Sequence, residues 1–509
     1  MRLNKLFLLT LFTVVSVSAF AQGAADALTF SRNQYEGTAR TMAMGNAFTA
    51  LGGDIGALSI NPASSGVFRY SQFTLSPSII SSTGITDYLG QTTRDTKSSL
   101  AVSNFGFVGT FDTGNYSGLL NWNIGIAYNR TNSFNSIMRA GGRTSESSAL
   151  ASMASGLTGI NSADLEEDDQ YNPYNNSALS WREILGWNTY LLANIPGTSD
   201  AYYASTENMD GSGNIYVGGE LQQDFYKKVT GGSHEFTLNF GGNVSDIFYF
   251  GANLNLTSIS YKVDEYYNET AMYPNDFQDG FKNYQSSYWQ TTSGAGVNMK
   301  FGVILTPFGG FRLGATLTTP TWYSMTDSWQ MGMSSQFTNG NGYDKNSPTG
   351  VYEYQIVSPM RASIGAAYTF GSIGVISADY EFVDYSTIKM RDNQGRSSEF
   401  ASDNNYIKSN YGISNIFRIG AEVRPISCLS LRGGYNYYGT PGDNYPDIRY
   451  ITAGFGFRLG SKTTLDFAYQ KRLTTKEDFI LYNDYEISAP TGTLSSRGSK
   501  WVLTFGLKF

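Results

Sequence analysis

The 509-residue chain is poor in the side chains on which disulfide-bonded, metal-binding and catalytic proteins depend. It contains one cysteine, Cys428, and one histidine, His234. A single cysteine excludes an intrachain disulfide framework and a site built from several thiolates. The lone histidine and the lack of a spaced metal-ligand motif leave little for catalysis. We therefore expect no catalytic residues, no metal, no cofactor, and a protein that is not an enzyme.

Charge is also scarce, at 15% of residues, and it is slightly unbalanced towards acid. The chain has 42 acidic and 35 basic residues, which gives a net charge of -7. A mild negative charge argues against nucleic acid as a partner, because phosphate backbones are bound by basic surfaces. The sequence therefore gives no support for nucleic-acid binding.

Long apolar runs are confined to the N-terminus. Residues 1–21 have the pattern of an export signal, with two basic residues, an apolar run from residue 6 to 17 and the small-x-small end Ala19-Phe20-Ala21. That run is shorter than the roughly 20 residues that a spanning helix needs. We expect Gln22 to begin the mature chain. No cysteine follows the cleavage site, which argues against a lipoprotein anchor.

What the chain has in quantity is aromatic residues and glycine, arranged in alternating runs. It contains 36 Tyr, 32 Phe and 56 Gly, a composition suited to strands, interface girdles and tight turns. The last run is the clearest, because Trp501, Phe505 and Phe509 share one face with other apolar residues. The terminal Phe509 resembles the signal by which outer-membrane proteins engage their barrel-assembly machinery. An amphipathic strand of a soluble protein is the alternative.

Similar runs recur upstream and are joined by connections that alternate between short and long. Seven long and six short connections join fourteen strands, so we predict an all-β fold, a 14-stranded antiparallel transmembrane β-barrel. Twelve or sixteen strands are alternatives. We expect a monomeric, multi-pass protein of a Gram-negative outer membrane, in contact with its lipids. The long connections are predicted at residues 81–98, 132–220, 263–286, 325–352, 387–411, 439–446 and 475–496.

Residues 22–70 lack this alternation and are rich in Gly, Ala and Met. We predict that they form an N-terminal hatch, or plug, inside a barrel of residues 71–509; a periplasmic tail is the alternative. Inward positions of the predicted strands carry charges of both signs, which favours the plug, since such charges can hydrogen-bond to an occupant of the pore. These residues are Lys300, Arg312, Arg361, Asp379, Glu381, Arg418, Glu422, Arg432, Arg458 and Asp466.

One motif in the predicted hatch resembles a known family. The stretch from Glu36 to Ala50 contains Gly-x-x-Arg-x-Met-x-Met-Gly, and Asn61-Pro62-Ala63 follows it. Both features are similar to the FadL-type superfamily of long-chain fatty-acid transporters, in particular to its Bacteroidetes-type branch. The resemblance implies a fourteen-stranded barrel closed by an N-terminal hatch. It also implies uptake of hydrophobic compounds, from fatty acids to aromatic hydrocarbons, through an apolar outer groove, a lumen pocket and a lateral opening in the wall.

The resemblance leaves the function open between two members of the superfamily. We predict a passive transporter of a hydrophobic small molecule, fatty-acid-like or aromatic, with movement of the hatch opening the path. The alternative is a barrel that serves type IX protein secretion, or another structural or shuttle role, because the motif does not separate the two groups. A general porin is third, and the hatch argues against it.

Four residues of the hatch are candidates for its attachment to the barrel. Asn61 and Pro62 suit a turn at which the segment re-enters the wall, because proline fixes φ and asparagine hydrogen-bonds to neighbouring backbone. We expect the charges of Arg40 and Asp54 to pair with inward charges of the barrel. The alternative for Arg40 is that it faces periplasmic water.

The connection at residues 132–220 is too long for an ordinary hairpin loop. We predict an extracellular loop with short helices, because two apolar stripes recur in it at helical spacing. The stripes either pack on each other or form a groove that gathers a hydrophobic ligand. The residues of the predicted groove are Leu150, Met153, Leu157, Ile184, Leu185, Trp187, Leu191 and Leu192.

Two further patterns give weaker indications. The acidic run at residues 164–169 offers carboxylates to Ca²⁺ but lacks the spaced ligands of a calcium loop, so a solvated acidic stretch is favoured. Ser233 and His234 are adjacent, and adjacent residues of a strand point to opposite faces. They therefore cannot readily act as a nucleophile and its base.

Overall fold

The computed structural model describes residues 23–442, 445–483 and 488–509. The predicted export signal and Gln22 lie outside the described residues. None of the described helices is long and apolar enough to cross a membrane. Strands dominate the part of the chain that the structure describes.

The helices are short and lie in the N-terminal segment and in the connections between strands. The α-helices are α1 (Ala24–Ser31), α2 (Ala39–Ala43), α3 (Ala149–Gly156), α4 (Trp181–Asn188) and α5 (Ala401–Asn410). Single turns of 3-10 helix occur at Gly56–Ser59, Pro62–Val67, Ser162–Leu165, Pro173–Asn175, Pro274–Asp276 and Tyr385–Thr387.

The strands follow one another through the rest of the chain. They are β1 (Gln72–Tyr88), β2 (Gln91–Asp112), β3 (Leu119–Ser133), β4 (Ser136–Thr144), β5 (Leu192–Asn194), β6 (Tyr202–Ala204), β7 (Glu207–Met209), β8 (Ile215–Val217), β9 (Leu221–Val244), β10 (Phe248–Ala271), β11 (Phe281–Phe308), β12 (Phe311–Thr318), β13 (Trp322–Phe337), β14 (Gly342–Asn346), β15 (Gly350–Val357), β16 (Arg361–Thr369), β17 (Gly374–Asp384), β18 (Lys389–Asp392), β19 (Ile413–Ile426), β20 (Leu429–Tyr438), β21 (Ile448–Leu459), β22 (Thr463–Ile480) and β23 (Thr491–Lys508). The short strands β5 to β8 pair only within the connection that contains them.

Antiparallel pairing closes the remaining strands into one barrel with fourteen wall strands. Four wall strands are built from consecutive segments: β3 with β4, β12 with β13, β14 and β15 with β16, and β17 with β18. The ring closes between β1 and β23, where Gln72 lies opposite Lys508. The predicted fold class is confirmed. We call the end with the short connections the turn side and the opposite end the loop side.

An apolar belt surrounds the outside of the barrel near the turn side. On β10 the exposed side chains are Phe and Leu as far as Leu256, and from Ser258 to Lys262 they are Ser and Lys. This part of β10 has about the 9–11 residues that a tilted strand needs to cross a bilayer. Phe111 and Trp122 stack at the turn side with ring centroids 4.3 Å apart, in the manner of an interfacial aromatic girdle.

Beyond the belt the strands continue further than the sequence predicted. β9 and β10 each have 24 residues and β11 has 28. The long connection predicted at residues 81–98 is wrong, because β1 and β2 run through it and turn at Leu89-Gly90. The extensions are rich in serine and threonine, and hydroxyls such as those of Thr83 and Thr96 hydrogen-bond across the strands. The exposed side chains there are largely polar, so the alternation that marks a membrane strand is absent.

Residues 23–70, which we call the N-terminal segment, lie inside this ring. Hydrogen bonds join them to inward side chains on widely separated strands, among them Asn253 on β10, Asp379 on β17 and Thr504 on β23. A segment that contacts opposite sides of a closed ring from within must fill its lumen. α1 packs near α5 on the loop side, and the segment then runs towards the turn side, where β1 begins.

Inward-facing glycines allow the segment to pack directly on the wall backbone. A Cβ at Gly420 would lie 2.1 Å from the carbonyl oxygen of Met44, and one at Gly434 would lie 2.5 Å from the nitrogen of Gly45. Real Cβ atoms do not approach that closely, because the interior is already close-packed. No larger side chain fits at these positions unless the segment moves.

We predict that Gly434→Ala displaces the N-terminal segment and raises single-channel conductance in planar bilayers, because the added methyl group overlaps the backbone at Gly45. Gly433 is a matched control on the same strand, since its Cβ would meet only the carbonyl oxygen of Thr452, at 3.9 Å. Gly433→Ala should conduct like the parent protein. Identical conductance of both variants would contradict this account of the packing.

Candidate functional site

Arg40 connects the N-terminal segment to the wall through a buried carboxylate. Its Nε lies 3.2 Å from Oε2 of Glu422 on β19, and its Nη1 lies 3.9 Å from Oδ2 of Asp54. The same oxygen of Glu422 also accepts a hydrogen bond from Nε of Arg432 on β20, at 2.7 Å. The Glu422 side chain is fully buried between these cations, so removing this carboxylate would leave them without their shared partner.

Asp54 hydrogen-bonds within the segment itself. It accepts a hydrogen bond from Oγ1 of Thr38 at 2.8 Å and one from the backbone N–H of Gly56 at 2.9 Å. Apart from its distant pairing with Arg40, its described contacts therefore stabilise the fold of the segment. The structure places Arg40 against the wall and Asp54 behind it.

Asn61 and Pro62 begin the second 3-10 helix of the segment, and they do so against the wall. Oδ1 of Asn61 caps this turn by accepting from the backbone N–H of Ala63. Nδ2 of Asn61 donates to the carbonyl of Val303 on β11 at 3.2 Å. The carbonyl of Pro62 accepts from Nδ2 of Asn239 on β9 at 3.0 Å.

Most of the other inward charges are also engaged, several of them with the segment. Lys300 and Arg312 donate to backbone carbonyls of the segment, and Asp379 accepts from one of its backbone N–H groups. Glu381 lies between two arginines of the wall. Arg458 lines a cavity at the turn side.

The wall is interrupted in its third strand, between β3 and β4. Pairing of β2 with β3 ends at Asn104 and Asn129. In the described part of the chain, β4 pairs with β9 but not with β2. It crosses the inward face of β1 instead, where a Cβ at Gly84 would lie 2.1 Å from the carbonyl oxygen of Ile137. The loop-side edge of β2 is left unpaired there, and we call the place around residues 134–135 the wall break.

Arg130 hydrogen-bonds the backbone carbonyls beside the wall break. Its guanidinium donates to the carbonyl of Gly231 at 2.8 Å and to that of Asn132 at 3.3 Å. Glu36 of the N-terminal segment lies 3.8 Å from Arg130 and 2.7 Å from Nζ of Lys500. Arg130 and Glu36 are 7% and 0% exposed. The positive charge of Arg130 beside the wall break is therefore balanced by the carboxylate of Glu36, which belongs to the segment in the lumen.

Three aromatic rings cover the inside of the wall break. Phe134, at the break, packs edge-on against Phe30 of α1, with ring centroids 5.7 Å apart, and against Tyr261 of β10 at 5.6 Å. Phe30 and Tyr261 are themselves 5.5 Å apart. This triad links the first helix of the segment to the place where the wall is interrupted.

The sequence did not single out these residues. Phe30 and Phe134 lie outside any alternating run, so no periodic pattern marks them. Arg130 lies just before the predicted long loop and was not included among the inward charges. Glu36 was noticed only as the start of the family-like motif.

We predict that Glu36→Gln loosens the wall break, because it leaves Arg130 and Lys500 buried without their carboxylate. Breaking a buried pair costs about 3–5 kcal/mol, so hydrogen exchange of the backbone near residues 128–133 should accelerate by at least ~100-fold. Asp95→Asn is the matched control, because Asp95 pairs with the exposed Arg139 in the same region, where a pair contributes about 1 kcal/mol at most. Equal exchange in the two variants would refute the role of Glu36.

The long connection between β4 and β9 packs around its own apolar core. Seven of the predicted groove residues belong to one buried cluster, which also contains Tyr284, Met331 and Phe337 of the wall. They are Leu150, Met153, Leu157, Ile184, Leu185, Leu191 and Leu192. Trp187 is partly buried and packs edge-on against Tyr202. In the described conformation these side chains fill the loop, as the packing alternative requires, and ligand gathering by the loop stays a prediction.

A buried glutamate anchors this loop to the wall. Glu269 of β10 accepts hydrogen bonds from the backbone N–H of Ala149 at 2.8 Å and from Oγ of Ser148 at 2.7 Å. Ser148 is the N-cap of α3. A carboxylate at this position satisfies unpaired donors of the first helical turn and suits the positive end of the helix dipole.

We predict that the loop is more stable at pH 5 than at pH 8. Burial raises the pKa of Glu183 in α4 to about 7, so the docked helix favours the protonated acid. Stability is then present below the ordinary pKa of the acid and is lost as the pH rises towards 7. Limited proteolysis within residues 145–220 should speed up across this range, and Glu183→Gln should reduce the pH effect. A pH dependence that is unchanged in the variant would contradict the assignment.

The remaining candidates take ordinary structural positions. Asp168 in the acidic run accepts from nearby backbone N–H groups, and the described residues contain no group of three or more side chains that could hold a metal ion. His234 shares a hydrogen bond of 2.7 Å with Tyr128, whereas Ser233 bonds to Thr131. Phe509 is exposed at the turn side and its N–H donates to Ser71. Its role in assembly stays a prediction.

Comparisons with known proteins identify the class of the fold. No family model and no curated protein matches the chain. Among solved structures, the Pseudomonas putida toluene transporter TodX matches with a TM-score of 0.53 at 13% identity, over 92% of this chain and 97% of that one. A Pseudomonas aeruginosa FadL homologue matches with a TM-score of 0.54 at 13% identity, over 94% and 99%. The monoaromatic hydrocarbon channel CymD matches with a TM-score of 0.51 at 10% identity, over 93% and 97%.

The chain therefore has the fold of the FadL-type outer-membrane barrels. The resemblance predicted from the motif in the N-terminal segment is confirmed at the level of the fold, over nearly the whole chain. The narrower expectation of a Bacteroidetes-type branch stays a prediction.

Proposed function

We propose that this protein is a passive transporter of a hydrophobic small molecule across the outer membrane, with the wall break as its exit. The observation that carries the proposal is the interruption of the third wall strand beside the membrane, with the N-terminal segment attached to it from inside. A ligand that leaves the lumen sideways enters the bilayer directly, and a hydrophobic molecule avoids the aqueous periplasm by doing so.

An apolar cluster in the lumen includes Phe134 of the wall break, which supports a hydrophobic ligand. Leu28 and Phe30 of α1 pack there among wall residues such as Ile259 and Met325. A hydrophobic molecule could replace these contacts, since burying one such side chain contributes about 1.5–3 kcal/mol. Displacement of α1 would also withdraw Phe30 from Phe134 and so uncover the break.

The structurally similar proteins support the same class of ligand. Those compared are described as a toluene transporter, a FadL homologue and a monoaromatic hydrocarbon channel. At 10–13% identity this likeness concerns the fold, so whether the ligand is aromatic or fatty-acid-like is left to experiment. We infer that the loop side faces outward and that the ligand's concentration gradient drives net flow.

A reversible cross-link across the wall break tests the proposal. Nδ2 of Asn135 and Oγ of Ser99 on β2 are 2.8 Å apart, so Ser99→Cys with Asn135→Cys in a Cys428→Ser background joins the two edges. We predict that cells carrying the oxidised protein take up a labelled hydrophobic probe several-fold more slowly. Reduction should restore the rate.

The control cross-link joins the same hairpin without crossing the break. Thr86 and Thr93 lie opposite each other on β1 and β2, with their hydroxyl oxygens 2.6 Å apart, so Thr86→Cys with Thr93→Cys should leave uptake unchanged. Uptake that is equal before and after oxidation of the Ser99–Asn135 pair would exclude the lateral exit. If deletion of the protein leaves uptake unchanged but alters the export of client proteins, the secretion alternative replaces transport.

A further inference from the structure

A polar vestibule lies at the turn side of the lumen, away from the wall break. It consists of two cavities of about 340 Å³ and about 130 Å³, and both are lined by Arg40, Gln72, Arg424 and Lys508. A volume of about 300 Å³ or more is in the range of small-molecule sites. We call the two cavities together the turn-side vestibule.

The lining of the vestibule has the opposite charge to the protein as a whole. Seven arginine and lysine side chains and three carboxylates line the two cavities, whereas the complete chain has a net charge of -7. Arg40, Arg424 and Arg432 share Glu422. A recess lined by one sign of charge concentrates ions of the other sign.

Three of these cations have no carboxylate partner. Among the ion pairs of the described residues, none includes Arg312, Arg458 or Lys508, although all three line the vestibule. Arg312 donates one hydrogen bond, to the carbonyl of Leu51 at 2.7 Å, which leaves most of its five N–H donors unused. Nε of Arg424 is buried and makes no described hydrogen bond.

We propose that the turn-side vestibule is a binding site for the carboxylate or phosphate head of an anionic amphiphile. Arg312 and Lys508 bind the oxyanion, since charge-assisted hydrogen bonds from such groups are the strong ones. The larger cavity is also lined by Val67 and the exposed Tyr70 of the N-terminal segment, and these side chains contact the apolar part. A free inorganic oxyanion would leave this apolar wall unused.

The site is independent of the proposed transport, because it is defined by equilibrium binding to the purified barrel. The test measures binding of octanoate, neutral octanol and inorganic phosphate by calorimetry in a non-ionic detergent. The variants are Arg312→Gln, and Arg312→Gln combined with Lys508→Gln. Lys462→Gln is the matched control, because Lys462 is exposed in the turn before β22 and does not line the vestibule. Heat-modifiable migration on gels verifies that each barrel is folded.

We expect octanoate to bind the parent protein and the Lys462 variant equally. Arg312→Gln should weaken binding several-fold and the double variant at least tenfold, and added salt should weaken binding to the parent protein. Octanol should bind at least tenfold more weakly than octanoate. The proposed site would be refuted if the double variant bound octanoate as tightly as the parent protein, or if the parent protein bound octanol as tightly as octanoate. Phosphate binding without octanoate binding would overturn the proposal that the ligand is an amphiphile and would identify it as a free oxyanion instead.

Discussion

The need to satisfy every backbone N–H and carbonyl group in lipid is the constraint on which this structure depends. Hydrocarbon offers no hydrogen bonds, so strands can cross only as a closed ring, and here the ring closes where β1 meets β23. Beside the wall break a buried side chain supplements the hydrogen bonds of the ladder. Arg130 donates to the carbonyls of Asn132 and Gly231, and the carbonyl of Gly231 also accepts from the backbone N–H of Phe134.

The buried guanidinium of Arg130 creates a second requirement, which links the wall to the lumen. A guanidinium is costly to bury unless it is balanced, and Glu36 of the N-terminal segment supplies the balancing charge. The segment therefore stabilises the wall as well as filling the lumen. Its acidic residue stabilises the irregular wall, and its Phe30 covers the same place with an aromatic contact.

The sequence could predict the parts of the fold that repeat. Alternation of the kind seen from Trp501 to Phe509 predicted fourteen wall strands, because lipid imposes it on every strand. The alternation was missing at residues 81–98, which lie beyond the apolar belt and carry polar residues on both faces. The turn at Asn61 could be foreseen from local chemistry. The pairing of Arg130 with Glu36 could not, because it joins residues 94 positions apart through the geometry of the closed ring.

The position of the N-terminal segment has a consequence for how the molecule is made. Its backbone rests on inward glycines such as Gly314 and Gly420 with no space between, so a finished ring offers no room through which the folded segment could enter. The close fit therefore requires either that the ring closes around a segment already in the lumen or that the segment enters before it has folded. In either case the segment and the wall acquire their final packing together, so folding of the lumen and closure of the ring are coupled steps.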